Sequence, residues 1–379
     1  MDVPPMQPPR LPSSVTPTQS PPSPPTPSRT KGGNAWLWAL GVVGVLALGF
    51  VGLIVVAASS LGGSSTGGIG NTSSDLHEVV IEENKSDNKI AVIPIEGVIT
   101  GSPIDPEGRT LVTLVKGQLE RAAEDDAVKA VLLRVDSPGG EVLASDEIYL
   151  LIWKFMEDHP GKPVVVSMGS LAASGGYYVS APCQWIVANE LTMTGSIGVI
   201  FHGYNYRGLM DKVGVKPSIT KSGKLKDMMS GEKAPEEELP EERQIMQSMI
   251  DESFGRFKEV IRAGRKRAAD RNKGEGKALV DGWESMADGR ILSGKSALDH
   301  GLVDEIGNFD VAVDRARKLA DIEDANLVSF DPPVSFGSLF RMFGKSSMQG
   351  NTVRVDLGMG LPSRLPQGRL YFLSPIHAH

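Results

Sequence analysis

Residues 164–200 read VVVSMGSLAASGGYYVSAPCQWIVANELTMTGSIGVI, and the order of residue types here decides the fold. Residues 164–166 form an apolar β-branched run, the pattern of a buried strand. Small residues follow and lead to Ser174, Gly175 and Gly176, with Tyr177 and Tyr178 directly behind. A second apolar segment, residues 185–188, leads to Thr194-Gly195-Ser196-Ile197-Gly198. Strand, small-residue turn, Ser-Gly-Gly and helix together lift a serine hydroxyl to the end of a sheet. There a helix N-terminus and free backbone N–H groups stabilise developing negative charge. Glycines behind the serine let backbone and substrate approach closely. Taken alone, Ser-Gly-Gly reads as a packing turn, so the neighbouring segments have to decide.

Upstream, KIAVIPIEGVIT from Lys89 reads as two short strand pieces around Pro94, and residues 111–123 as an amphipathic helix. Residues 128–135 (VKAVLLRV) form a buried strand, Asp136-Ser137-Pro138-Gly139-Gly140 a turn, and residues 141–158 a helix. Strands alternating with helices at this spacing predict an α/β fold with a parallel sheet. The glycine-rich turns after Val135 and Met168 both fall at strand C-terminal ends, where open α/β sheets place their sites. Downstream, residues 236–267 form a long helix with apolar residues at 246, 250, 254, 257 and 261. Its basic end suits the helix macrodipole. Residues 288–307 are turn-rich, and residues 310–320 form a further helix.

The flanks differ in character. Residues 1–33, rich in Pro, Ser and Thr, bury too little surface to offset their ordering entropy and read as a disordered tail. Residues 35–58, AWLWALGVVGVLALGFVGLIVVAA, carry no charge, and their 24 positions reach ~36 Å, enough for a tilted membrane span. Arg29 and Lys31 precede this span, while Asp75, Glu78, Glu82 and Glu83 follow it. The asymmetry predicts a cytoplasmic N-terminus with the remainder on the far side. A cleaved signal peptide ending at residues 56–58 is the rival; the length of the run and the long tail before it favour an uncleaved anchor. Residues 59–88 read as a flexible tether, 89–325 as the folded domain, and 326–379 as a loosely ordered tail.

Composition narrows the chemistry. The net charge is −7, and the basic residues gather in no aromatic-rich patch, so nucleic acid is not an expected partner. Cys183 is the one cysteine and the six histidines are scattered, so no metal or cofactor is expected. A nucleophilic serine needs a base. Only His202 lies near the core stretch, with no evident acid to orient it. A desolvated lysine, neutral near pH 7, is the alternative. Lys226 leads in KSGKLKD, with Lys221 and Lys224 no worse by residue type.

GSLAASGGYY, TGSIGV and KSGKLKD, in this order and spacing, together with DSPGG and DGRILSGKSALDHGLVDEIG, resemble the signal peptide peptidase A (protease IV) family of membrane-anchored Ser-Lys peptidases. The resemblance covers residues 89–325 and implies a fold like that of the crotonases and the Clp proteolytic subunit. By position it makes Ser174 the nucleophile, Lys226 the base and Ser196 the serine that orients the lysine. Gly175, with Gly139 or Gly140, would supply the oxyanion N–H groups. With a single catalytic unit the chain is similar to the short form, in which the lysine reaches a neighbouring subunit's serine within a homo-oligomeric ring. Cleavage of signal peptides and other apolar peptides is the implied activity. A crotonase-type acyl-CoA enzyme and a catalytically silent membrane scaffold are the competing readings.

Overall fold

The apolar runs become the strands of two sheets. The computed structural model describes residues 75–333, except 106, and residues 370–373. Its strands are β1 (His77–Glu82), β2 (Lys89–Glu96), β3 (Val128–Ser137), β4 (Gly139–Glu141), β5 (Val164–Ala173), β6 (Trp185–Ala188), β7 (Met193–Gly195), β8 (Ile200–Phe201), β9 (Ile291–Ser293), β10 (Glu305–Ile306), β11 (Asn326–Asp331) and β12 (Leu370–Leu373). The main sheet runs β1-β11-β2-β3-β5-β6-β10, with β7 continuing beside β5 and carrying β9. Its centre is parallel, and β1 and β9 pair antiparallel. The expected α/β class with a largely parallel sheet is therefore present.

Side-chain alternation explains why the central strands are apolar throughout. Ala91, Ile93, Val131, Leu133, Val164 and Val166 face one layer; Ile90, Val92, Ala130, Leu132 and Val165 face the other. The first layer packs under α1 (Leu111–Glu124), α2 (Val142–Asp158) and α3 (Gly175–Ser180). After α4 (Arg207–Lys212), the 32-residue α5 (Pro240–Arg271) adds Phe257, Val260 and Ile261 to the same layer. The short α6 (Gly294–Asp299) follows, and α7 (Phe309–Leu319) covers the opposite face with Ala312, Val313 and Ala316.

Four expectations change. Residues 89–96 form one strand through Pro94, not two pieces. The reason is positional: β11 pairs only with residues 89–91, so beyond that point Pro94 interrupts no ladder on that side. The DSPGG turn is shorter than expected, because Ser137 ends β3 and Gly139 begins β4. Ordered structure begins before Lys89, since β1 lies inside the expected tether and pairs with β11. The loosely ordered tail is corrected at two places: residues 326–331 form β11, and residues 370–373 form β12, the middle of a second sheet ordered β4-β12-β8. Non-local pairing, invisible to composition, orders both. Residues 1–33 and 35–58 lie outside the described residues, among which no helix is long and apolar enough to cross a membrane.

Candidate active site

β5 and β7 lie side by side with Ala173 opposite Gly195, which brings the next residues, Ser174 and Ser196, together at the C-terminal end of the sheet. The Ser174 N–H donates to the Gly195 carbonyl at 2.8 Å, and the Ser196 N–H to the Arg290 carbonyl at 2.7 Å. Both serines are buried and both have positive φ, 53° and 50°. Ser174 combines its φ with ψ −115°, a sparsely populated region for a residue with a Cβ. Such a conformation costs about 1–3 kcal/mol and persists only where neighbours enforce it. Its Oγ is buried with no hydrogen-bond partner among the described residues. A strained residue whose hydroxyl is held dry and unpartnered is poor packing but a suitable resting nucleophile.

Three glycines crowd together beside the Ser174 backbone, Gly175 following it directly in the chain. A Cβ on Gly139, whose φ is 97°, would fall 2.6 Å from Gly175 N; one on Gly175 would fall 3.1 Å from Gly140 N. Only residues without side chains fit so close an approach. The Gly139 N–H donates to Ser137 Oγ at 3.1 Å, and Gly140 pairs with Phe372 in the second sheet. Behind them the Tyr178 hydroxyl donates to Asp146 Oδ1 at 2.5 Å, and Arg256 Nε reaches the same oxygen at 3.3 Å. Burial, and then the Asp146 carboxylate, push the Tyr178 phenol far above its ordinary range, so it remains a donor. Tyr178 was visible beside Ser174, but its tie to α2 and α5 is non-local.

Ser174, Ser196, Gly139, Gly140 and Gly175 thus converge; Lys226 does not join them. It is exposed on the turn before α5, with no side-chain hydrogen bond or ion pair described. Its rivals are committed elsewhere: Lys221 binds both Asp227 oxygens at 2.7 and 2.8 Å, and Lys224 binds Glu241 at 2.7 Å. A residue the sequence reading missed, Lys233, is buried against Glu242 at 2.5 Å and 3.6 Å from Asp227. The Glu242 bond holds its ammonium above the usual lysine range, so it is a structural cation rather than a base. Cys183 is buried, which pushes its thiol up, and among the described residues no His, Cys, Asp or Glu cluster could hold a metal ion.

Known proteins resemble this chain in sequence. The profile of peptidase family S49 matches residues 157–323, from the end of α2 past α7. A candidate signal peptide peptidase SppA of Enterococcus faecium is 38% identical over 265 residues, covering 68% of this chain and 71% of that protein. A candidate protease of Synechocystis is 37% identical over 72% of this chain and 88% of its own length. Protease 4 of Haemophilus influenzae is 33% identical over 78% of this chain but 46% of its own. Identity at this level across most of the described domain settles the class of the molecule: the chain belongs to peptidase family S49 and is a serine protease.

Proposed function

We propose that the chain is a membrane-anchored endopeptidase that cleaves signal peptides and other apolar peptides through a Ser174–Lys226 dyad. The observation that carries this reading is the Ser174 hydroxyl, buried and unpartnered on strained backbone, followed by Gly175, which packs on Gly139 and Gly140. Neutral Lys226 takes the Ser174 proton as Oγ bonds to the substrate carbonyl carbon. The oxyanion then accepts hydrogen bonds from Gly175 and Gly140 N–H. Collapse breaks the C–N bond, and the Lys226 ammonium returns the proton to the departing amine. Water, deprotonated by the same lysine, releases the acyl group and regenerates the serine. Ser196, next to Ser174, holds the lysine amine in line.

The lysine is supplied by a neighbouring subunit of a homo-oligomer. Two observations support this: Ser174 Oγ finds no base among the described residues, and the segment around Lys226 exposes Tyr204, Leu209, Val213, Val215 and Ile219. Apolar surface of that extent fits a subunit interface. Residues 35–58 form the anchor, and the catalytic domain lies outside the cytoplasm.

The test is a fluorophosphonate probe together with casein hydrolysis. Wild type labels on one serine, and Ser174→Ala neither labels nor cleaves. Lys226→Arg is as inactive as Lys226→Ala, because arginine stays protonated, while Lys221→Arg and Lys224→Arg retain activity. Mixing Ser174→Ala with Lys226→Ala subunits restores part of it. Full activity in Lys226→Arg rejects the dyad, and no recovery in verified mixed oligomers rejects the shared site.

A further inference from the structure

The turn that carries Lys226 is held by a buried ionic cluster. Residues 224–229 form consecutive turns, in which the Lys226 N–H donates to the Gly223 carbonyl at 3.2 Å and the Met228 N–H to the Leu225 carbonyl at 3.0 Å. Such bonds in an exposed segment open easily when nothing else secures it. Glu242, in the first turn of α5, does secure it: Oε2 accepts the Met229 N–H at 3.3 Å while Oε1 accepts from Lys233 Nζ at 2.5 Å. Met229 has φ 57°, a backbone that needs an enforcing partner. Lys233 Nζ also lies 3.6 Å from Asp227, whose two oxygens Lys221 Nζ binds at 2.7 and 2.8 Å. On the other side the Tyr206 N–H donates to the Gly231 carbonyl at 2.9 Å and Asn205 Nδ2 to the Lys233 carbonyl at 3.0 Å. The side chains of Lys233 and Glu242 are 4% and 1% exposed, yet Lys226 between these clamps is exposed. A buried ion pair is seldom the most stable filling for its space, and fixing one geometry is its better-attested use.

We propose that Lys233 and Glu242 are positioning residues for the base: they lock the Asp227–Met229 turn so that Lys226 leaves the surface in one direction, toward Ser174 of the neighbouring subunit. The proposal rests on the Ser174–Lys226 reading. A four-carbon side chain on a mobile turn samples many directions, and each wrong one is an unproductive encounter. Locking the turn removes the backbone share of that search and leaves only side-chain rotamers for Ser196 to select. The charges suit the task. Lys221 and Lys233 are matched by Asp227 and Glu242, so the turn is ordered without net charge beside a lysine that acts as the neutral amine. Neither residue belongs to the strand ends around Ser174, so the effect falls on turnover rather than on substrate binding.

The test is Lys233→Met/Glu242→Leu in the full-length chain, an apolar replacement that buried ion pairs commonly tolerate in stability. The double variant should keep the wild-type urea midpoint but lower kcat for casein about 10- to 100-fold, the scale of a small misplacement, with KM within about twofold. Lys233→Arg, which keeps the cation, should hold kcat within about threefold of wild type. Hydrogen exchange in residues 224–233 of the double variant should quicken about tenfold or more, with β3 and α2 unchanged. If the double variant unfolds, Glu242→Gln serves, with smaller changes of the same kind. Wild-type kcat in the folded variant, or unchanged exchange in residues 224–233, overturns the positioning role. Placing the double change in Lys226→Ala separates the two readings, with residual fluorophosphonate labelling as the readout. No further loss there assigns the effect to the base, and a further tenfold loss overturns that assignment. Quickened exchange beside a fully active Lys226→Ala chain would instead overturn Lys226 as the base and leave the clamp on the turn standing.

Discussion

Gly139 has φ 97°, and a methyl group there would meet the Phe372 carbonyl oxygen at 2.1 Å and Gly175 N at 2.6 Å. Alanine therefore faces a backbone penalty and a collision inside the proposed oxyanion wall. Gly139→Ala should lower casein hydrolysis at least ~100-fold, the scale of losing one oxyanion donor, here the Gly175 N–H that the methyl group would displace, and stability by about 1–3 kcal/mol. Gly161→Ala, with open space around its Cβ, is the matched control and should leave both unchanged. Kinetics with thermal melts of the two variants check this. Part of this geometry was legible: the β-branched run into Ser-Gly-Gly placed Ser174 at a strand end, while its position beside Ser196 comes from the β5–β7 pairing. That Gly139 and Gly140 both pack against Gly175 was not legible, because the approach is made across the fold between β4 and the start of α3.

The long helix α5 shows where reading by element falls short. Its basic end was assigned to the macrodipole, yet Arg265 within that run is buried and paired with the equally buried Asp304, 39 residues away in sequence. Asp304 also accepts the Ile186 N–H at 2.9 Å and the Lys277 N–H at 3.2 Å, so one carboxylate fastens α5, β6 and the segment after α5. Helical periodicity reports which face is apolar but not which cation on that face has a distant partner. Arg265→Met leaves the carboxylate buried without its cation and should cost about 3–5 kcal/mol. Urea unfolding of the variant measures it, and a loss under 1 kcal/mol would assign the pair a minor role. The same limit hid β12, four apolar residues at the end of a Pro-, Gly- and Ser-rich stretch whose strand partners β4 and β8 lie far away in sequence.

Across the whole molecule, the shifted groups bound a pH range of stability. Burial alone would raise the Glu242 carboxyl, but the bonds from Lys233 and Met229 N–H outweigh it and hold it low. Asp125 is likewise opposed by burial and held low by Lys89 and the Ala127 N–H, and Arg290 holds Asp288 near about 2. Carboxyls lower folded than unfolded contribute stability above pH ~4.5 that is lost as pH falls through their folded values. Tyr177 and Tyr178 are raised, chiefly by burial, so their contribution is complete below pH ~10 and lost as pH rises. The melting temperature should be flat between about pH 5 and 9 and fall on both sides; a steep fall between pH 8 and 6 would contradict these assignments. β1 carries a mechanical consequence. It is the sheet's outermost strand, with all six residues exposed, and His77 pairs with Asp331 at the end where the described chain enters and β11 closes. Tension applied through the preceding chain loads the β1–β11 ladder first and peels it from its outer edge. The strands beneath Ser174 sit four places further in, so a load entering through β1 meets the rim of the sheet well before it reaches that serine.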